Sequence, residues 1–163
     1  MTFKLYRVSL VILIICLLNS CGFHLREQKT LPPQLHKLII SPNQPWDRFQ
    51  LLLKRQLASA GASFSQHHSA STLKLTRVYL SESTVAFGPD GQVHRARLDY
   101  TVHFSVENSK NEVILPNQTI LIRRDYRINS NSKLSSDDEK AIIIEEMQRD
   151  AVDQVIQRLT QLE

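Results

Sequence analysis

Few side chains in this sequence can do chemistry, and they fall in five places. The first is Cys21, whose thiol could form a disulfide, bind a metal or carry an acyl group. The chain has two cysteines. The other, Cys16, lies five residues upstream inside an apolar run, so no disulfide can tie distant parts of the chain together. A cysteine metal site needs more ligands at fixed spacing. The second place is His67–His68; adjacent residues of an extended chain point apart, and no acidic or cysteine partner stands at ligand spacing. The third is Asp99 with His103, four residues apart on one strand face, an arrangement that could serve acid–base chemistry if a pocket enclosed it. The fourth is Asp137-Asp138-Glu139, better suited to a helix start than to a metal. The fifth is a set of guanidinium groups, Arg95, Arg97, Arg123 and Arg127, at alternate positions of two extended segments. No phosphate loop, dinucleotide fingerprint, nucleophile elbow or zinc-protease motif occurs, so catalytic, metal and cofactor-binding residues are expected to be absent.

Cys21 is better understood from what precedes it. Lys4 and Arg7 form a short basic start, and Val8–Leu18 is a predominantly apolar run of eleven residues, interrupted only by Ser9. A helix of that length spans roughly 16 Å, short of the ~30 Å hydrocarbon core. Residues 1–20 therefore read as a signal peptide. Leu18-Asn19-Ser20-Cys21 is similar to the lipobox of bacterial lipoproteins, with an aliphatic residue at −3 and a small one at −1. The expectation is cleavage before Cys21 and attachment of lipid to its sulfur. Gly22 at the next position, not Asp, favours delivery to the outer membrane. One acyl chain holds a protein only marginally, whereas two or three on one cysteine hold it durably.

The remainder must supply one domain. The formal charge is +4, and without Lys4 and Arg7 the balance is 18 basic minus 16 acidic groups, or +2. That balance does not suggest a nucleic-acid binder, which more often shows a dense basic stripe. Residues 21–34, with paired Pro32 and Pro33, read as a lipidated start and extended tether, and residues 35–163 as a single domain. Leu35–Ser41 is a short strand. A helix follows, with Pro45 at its first position, Asp47 in its first turn, an apolar stripe of Phe49, Leu52, Leu53, Gln56, Leu57 and Ala60, and Gly61 as its stop. Residues 62–71 read as a polar connection. Ser71–Phe87 is extended with mixed phase: Leu73 and Leu75 on one face, Val78 and Leu80 on the other unless a bulge intervenes. Gly88-Pro89-Asp90-Gly91 is a turn.

His94–Glu107 is the clearest strand. Ala96, Leu98, Tyr100, Val102, Phe104 and Val106 alternate with polar residues, which places one face on a core and the other in water or against a polar partner. The next strand puts Ile120, Ile122, Tyr126 and Ile128 on one face and Thr119, Arg123, Asp125 and Arg127 on the other, with Arg124 opposed to its arginine neighbours. In the last helix, Ser136 and Glu139 suggest a capping box and Ala141, Ile144, Met147, Ala151, Val155 and Leu159 a buried stripe, ending near Leu162. The order β-α-β-β-β-α predicts an α+β two-layer sandwich: a four-stranded, mostly antiparallel sheet with two helices packed on one face. The arginine-bearing face is then either a set of cross-strand Arg–Asp pairs or a contact surface for an anionic ligand or protein wall.

Three stretches carry a resemblance. Cys21-Gly22-Phe23-His24-Leu25-Arg26, the Gly88–Gln92 hairpin and the last helix from Asp137, including Ile143, Ile144, Glu146 and Met147, resemble the LptE (RlpB) family of lipopolysaccharide-assembly lipoproteins. The resemblance implies an outer-membrane partner, the large β-barrel LptD, in which the lipoprotein sits as a plug, assists barrel assembly and helps deliver lipopolysaccharide to the outer leaflet. It also implies lipopolysaccharide contacts through basic residues near the hairpin turn and before the last helix. The matching positions here, Pro89 and Ser136, are not basic, and the nearby cations are Lys133, Arg95 and Arg97. From the residues alone, an independent periplasm-facing lipoprotein that binds an anionic envelope ligand is the other reading.

Overall fold

The computed structural model describes residues 30–42, 47–65, 69–89, 91–128 and 133–162, with the backbone alone for 133–135. The signal segment, Cys21, Pro45, His67, His68 and Asp90 lie outside the described residues.

The core starts at Leu31, which is buried and whose N–H donates to Ala60 O at 3.1 Å. Pro33–Leu35 is a 3₁₀ turn rather than extended tether, since Pro33 fits the first helical position, and it buries Leu35. Strand β1, Lys37–Ser41, alternates by burying Leu38 and Ile40. Helix α1, Arg48–Ser59, is capped by Asp47, whose Oδ1 accepts from Phe49 N at 2.9 Å. Phe49, Leu53 and Leu57, at i, i+4 and i+8, are buried. Gln56, expected on that stripe, is exposed, and Gln50 is buried in its place, its Nε2 donating to Pro42 O at 2.7 Å. The stripe is centred on the 49/53/57 row and its inward side takes residue 50 rather than 56. Gly61 ends the helix at φ +98°, where a side chain would be strained.

The sheet has five strands in the order β2-β1-β3-β4-β5, one more than expected. The extra strand, β2 (Ser63–Phe64), lies parallel to β1, with Ser63 N and Ser65 N donating to His36 O and Leu38 O. Two residues are too few to show a periodicity, so the segment reads as loop in the sequence. Strand β3, Ser71–Phe87, runs parallel to β1 over Ser71–Lys74 and antiparallel to β4, Val93–Glu107, along its length. Its register shifts between Leu75 and Arg77. This bulge settles the mixed phase: Leu73, Leu75, Val78 and Leu80 oppose Val106, Phe104, Val102 and Tyr100, all on one face. Strand β5, Val113–Arg127, pairs antiparallel with β4.

Every even residue of β4 from Ala96 to Val106 is buried. They meet Phe49, Leu53 and Leu57 of α1, and Met147, Ala151, Val152, Val155, Ile156 and Leu159 of α2, in one core. The rings of Phe49 and Tyr100 lie 5.9 Å apart. Helix α2, Lys133–Thr160, begins earlier than expected, so Ser136 is a buried residue inside the helix and forms no capping box. Lys133 and Leu134 are good helix formers and carry the helix back past it. Ala141, expected inside, is exposed, and Ile144 is half-buried. Both helices thus cover the inner face of the sheet, and the outer face is left uncovered among the described residues.

Leu98 is fully buried at the centre of β4. Leu98→Ala is expected to lower unfolding stability by about 2–5 kcal/mol in urea denaturation. A loss below about 1 kcal/mol would contradict this placement of the core.

Candidate functional site

The strand pairing decides what the outer-face arginines do. Arg97 stands opposite Asp125, and Asp99 opposite Arg123. Each arginine grips its partner with two bonds. Arg97 donates from Nε to Asp125 Oδ1 at 2.7 Å and from Nη2 to Oδ2 at 3.1 Å. Arg123 does the same to Asp99 at 2.9 and 3.1 Å. Parallel two-bond pairs fix the geometry of both side chains. They also hold the carboxylates in the charged form. Asp125 lies below the usual carboxylate range chiefly through its bond from Arg97, and Asp99 chiefly through its bond from Arg123.

Arg95 and Arg127 face each other one rung further along, at the hairpin end. Neither has an ion-pair partner among the described residues, although the charge of Arg95 helps to lower Asp125. The four arginines expected to cluster do so, as two neutralised and two open cations. Arg124 points to the other face and reaches Asp150 of α2 at 2.6 Å. Lys133 is the first residue of α2; its side chain and Cys21 lie outside the described residues.

Toward the opposite end of the outer face, Tyr79, Thr101 and Leu121 form one row across β3, β4 and β5, and Arg77, His103 and Thr119 the next. His103 Nδ1 and Thr119 Oγ1 are 2.9 Å apart. The Tyr79 ring stacks on His103 at 6.3 Å, and the Arg77 guanidinium lies 4.7 Å from the Tyr79 centroid. The acid–base pair considered for Asp99 and His103 does not form, because Asp99 is committed to Arg123 and His103 to Thr119. Arg77 and Tyr79 were not legible as members of this face, since only the bulge after Leu75 brings them to it.

On the inner face, Glu82 accepts from Tyr126 Oη and Lys140 Nζ and so joins β3, β5 and α2. These bonds, Lys140's first, hold Glu82 low; burial pushes the Tyr126 hydroxyl up. A shallow cavity of about 250 Å³ at the far end, lined by Ile39, Ala70, Thr72, Asn108, Ser109 and Asn111, contains no titratable group. Among the described residues, no group of three or more His, Cys, Asp or Glu could hold a metal, and no helix is long and apolar enough to cross a membrane.

The depressed aspartates set a pH dependence. A carboxylate with a lowered folded-state pKa adds stability above its unfolded value and loses it as pH falls through the folded one. Stability from both pairs is therefore present at neutral pH and disappears only below the ordinary Asp range. Carboxyl-carbon NMR titration should give Asp99 and Asp125 midpoints below that of an unpaired Asp, and Arg97→Gln should raise Asp125 toward the ordinary value. An unchanged Asp125 midpoint would contradict the pair.

Comparison with known proteins places this geometry in a family. The family model for LptE, described as lipopolysaccharide-assembly, matches residues 35–159. The LPS-assembly lipoprotein LptE of Photorhabdus laumondii is 26% identical over 147 residues, covering 86% of this chain and 77% of that protein. The crystal structure of the rare lipoprotein B of Shewanella oneidensis superposes with a TM-score of 0.67 at 25% identity, over 75% of this chain and 92% of that one. The solution structure of lipoprotein B of Nitrosomonas europaea shares the fold, with a TM-score of 0.71 at 20% identity, over 85% of this chain and 90% of that one. With the matched span running from the start of β1 almost to the end of α2, the chain belongs to the LptE lipopolysaccharide-assembly family.

Proposed function

We propose that this chain is the outer-membrane lipoprotein subunit of the lipopolysaccharide translocon, plugging and assisting assembly of the LptD β-barrel and helping to deliver lipopolysaccharide to the outer leaflet. The observation that carries the reading is the family match across the whole two-layer domain. The physical properties of the domain support it. A plug in a hydrated lumen needs a rigid body with a largely polar exterior, and the outer face carries Arg, Asp, His and Thr side chains beside Tyr79 and Leu121 and is braced by two-bond Arg–Asp pairs. A plug needs no catalytic group, and the family is non-enzymatic. Cys21 carries the lipid in this reading and supplies the membrane anchor, so no cofactor is required.

For lipopolysaccharide contact, Arg95 and Arg127 are the strongest candidates, because neither is held in an ion pair among the described residues. Arg97 and Arg123 reach the same face but are engaged by Asp125 and Asp99. Lys133 lies at the start of the last helix and completes the set by position.

Affinity recovery of the full chain from detergent-solubilised outer membrane should bring down a large β-barrel protein in stoichiometric amount. A lone lipoprotein would overturn the proposal in favour of an independent ligand-binding lipoprotein. Arg95→Glu combined with Arg127→Glu should weaken lipopolysaccharide binding about tenfold or more, since each charge-assisted bond is worth about 1.5–3 kcal/mol, and should leave the thermal midpoint unchanged. Unaltered binding by the folded double variant removes these residues from the contact.

A further inference from the structure

β1 covers only the first four residues of β3, from Leu38–Ser71 to Ser41–Lys74. Pro42 then follows, with no N–H to continue the ladder. Beyond Lys74, no described strand pairs with the outer edge of β3, while its other edge stays bonded to β4. Within that stretch, Arg77–Thr84 keeps an unbroken register, flanked by irregularities at Leu75/Arg77 and Thr84/Ala86. Eight residues extend about 26 Å at roughly 3.3 Å each, the length of an ordinary strand.

An edge of this kind presents unpaired main-chain donors and acceptors, and proteins normally blunt it with proline, charge or cover. The other long edge, β5, is blunted by Pro116 and by Arg123, Arg124 and Arg127. Between Ser71 and Phe87 β3 has no proline, and of its charges only Arg77 and Glu82 fall in the open stretch. Glu82 is already taken by Lys140 and Tyr126 on the inner face. Apolar side chains are instead left in the open: Tyr79 and Leu80 are each 38% exposed, Val85 39% and Phe87 67%. Tyr79 lies on the outer face and Leu80 on the inner, so an added strand would meet apolar side chains on both its faces.

We propose that the open edge of β3 over Arg77–Thr84 takes up an extended segment of the β-barrel partner as an added strand, bonded main chain to main chain. This rests on the reading given under Proposed function. Main-chain groups supply the affinity in such additions, and alternate side chains select the partner. The segment it fits is apolar on both faces and acidic where it passes Arg77, which has no ion-pair partner among the described residues. A second copy of this chain fits less well. The only acidic group that the same stretch could offer to Arg77 is Glu82, and Glu82 is engaged on the opposite face.

The test is hydrogen exchange on the full-length chain alone and in its detergent-purified complex with the barrel, together with photo-crosslinkers at Ser81 and Ser83 and, as a control, at Asn117 on β5. In the complex, the amides of Arg77–Thr84 that face away from β4 should exchange at least tenfold more slowly, and the crosslinkers at 81 and 83 should map to one extended segment of the barrel chain. If the barrel co-purifies and those amides exchange as in the isolated chain, or the crosslinks join two copies of this chain, the added strand is overturned and the plug reading stands. If no barrel co-purifies, both fall.

Discussion

The whole structure depends on the burial of one face of β4. Ala96, Leu98, Tyr100, Val102, Phe104 and Val106 are all buried, and burial of each of the larger ones is worth roughly 1.5–3 kcal/mol. Because side chains alternate along a strand, this forces the intervening residues onto the opposite face. A one-residue slip of β4 would put its arginines into the core and its aliphatic residues into water, so the register is strongly specified. The bulge in β3 follows from the same demand. Without it, Val78 and Leu80 would leave the inner face that Leu73 and Leu75 occupy.

Once the inner face is committed to the helices, the outer face is available for other work, and its composition follows the register. Arg97 and Asp125 meet because β4 and β5 are held in the alignment that buries Leu98 and Ile122. The two-bond pairs are solvent-exposed, so their main effect is to position charge and stiffen the face rather than to hold the fold. Glu82, Tyr126 and Lys140 tie the distal half of β3 to α2 from the inner side. The long three-stranded end is thereby joined to the last helix through side-chain bonds as well as through the core.

Much of this was legible in the residues. The period-two pattern of β4 and β5 placed the inner and outer faces, and the apolar stripes of both helices named most of the core. The distinction between the two alternatives for the arginine face was not legible, because it depends on which residue stands opposite which. In the structure Arg97 and Arg123 are engaged in cross-strand pairs, whereas Arg95 and Arg127 oppose one another without an ion-pair partner among the described residues. The fifth strand was hidden because Ser63–Phe64 is held by carbonyls of β1 and the preceding turn, not by any pattern of its own. The start of α2 was misplaced because Ser136 and Glu139 match a capping box in spacing, yet Ser136 is buried one turn inside the helix. Cys21 lies outside the described residues, and the proposal that it carries lipid comes from the lipobox-like Leu18–Cys21.

We propose that this lipopolysaccharide-assembly family member acts as a lipid-tethered body at the outer membrane. The most direct measurement is the fraction of newly made lipopolysaccharide that reaches the cell surface after the chain is depleted. The account predicts that surface display falls and that newly made lipopolysaccharide accumulates inside the cell, with recovery when the wild-type chain is restored. Undiminished display in cells lacking the chain would contradict it.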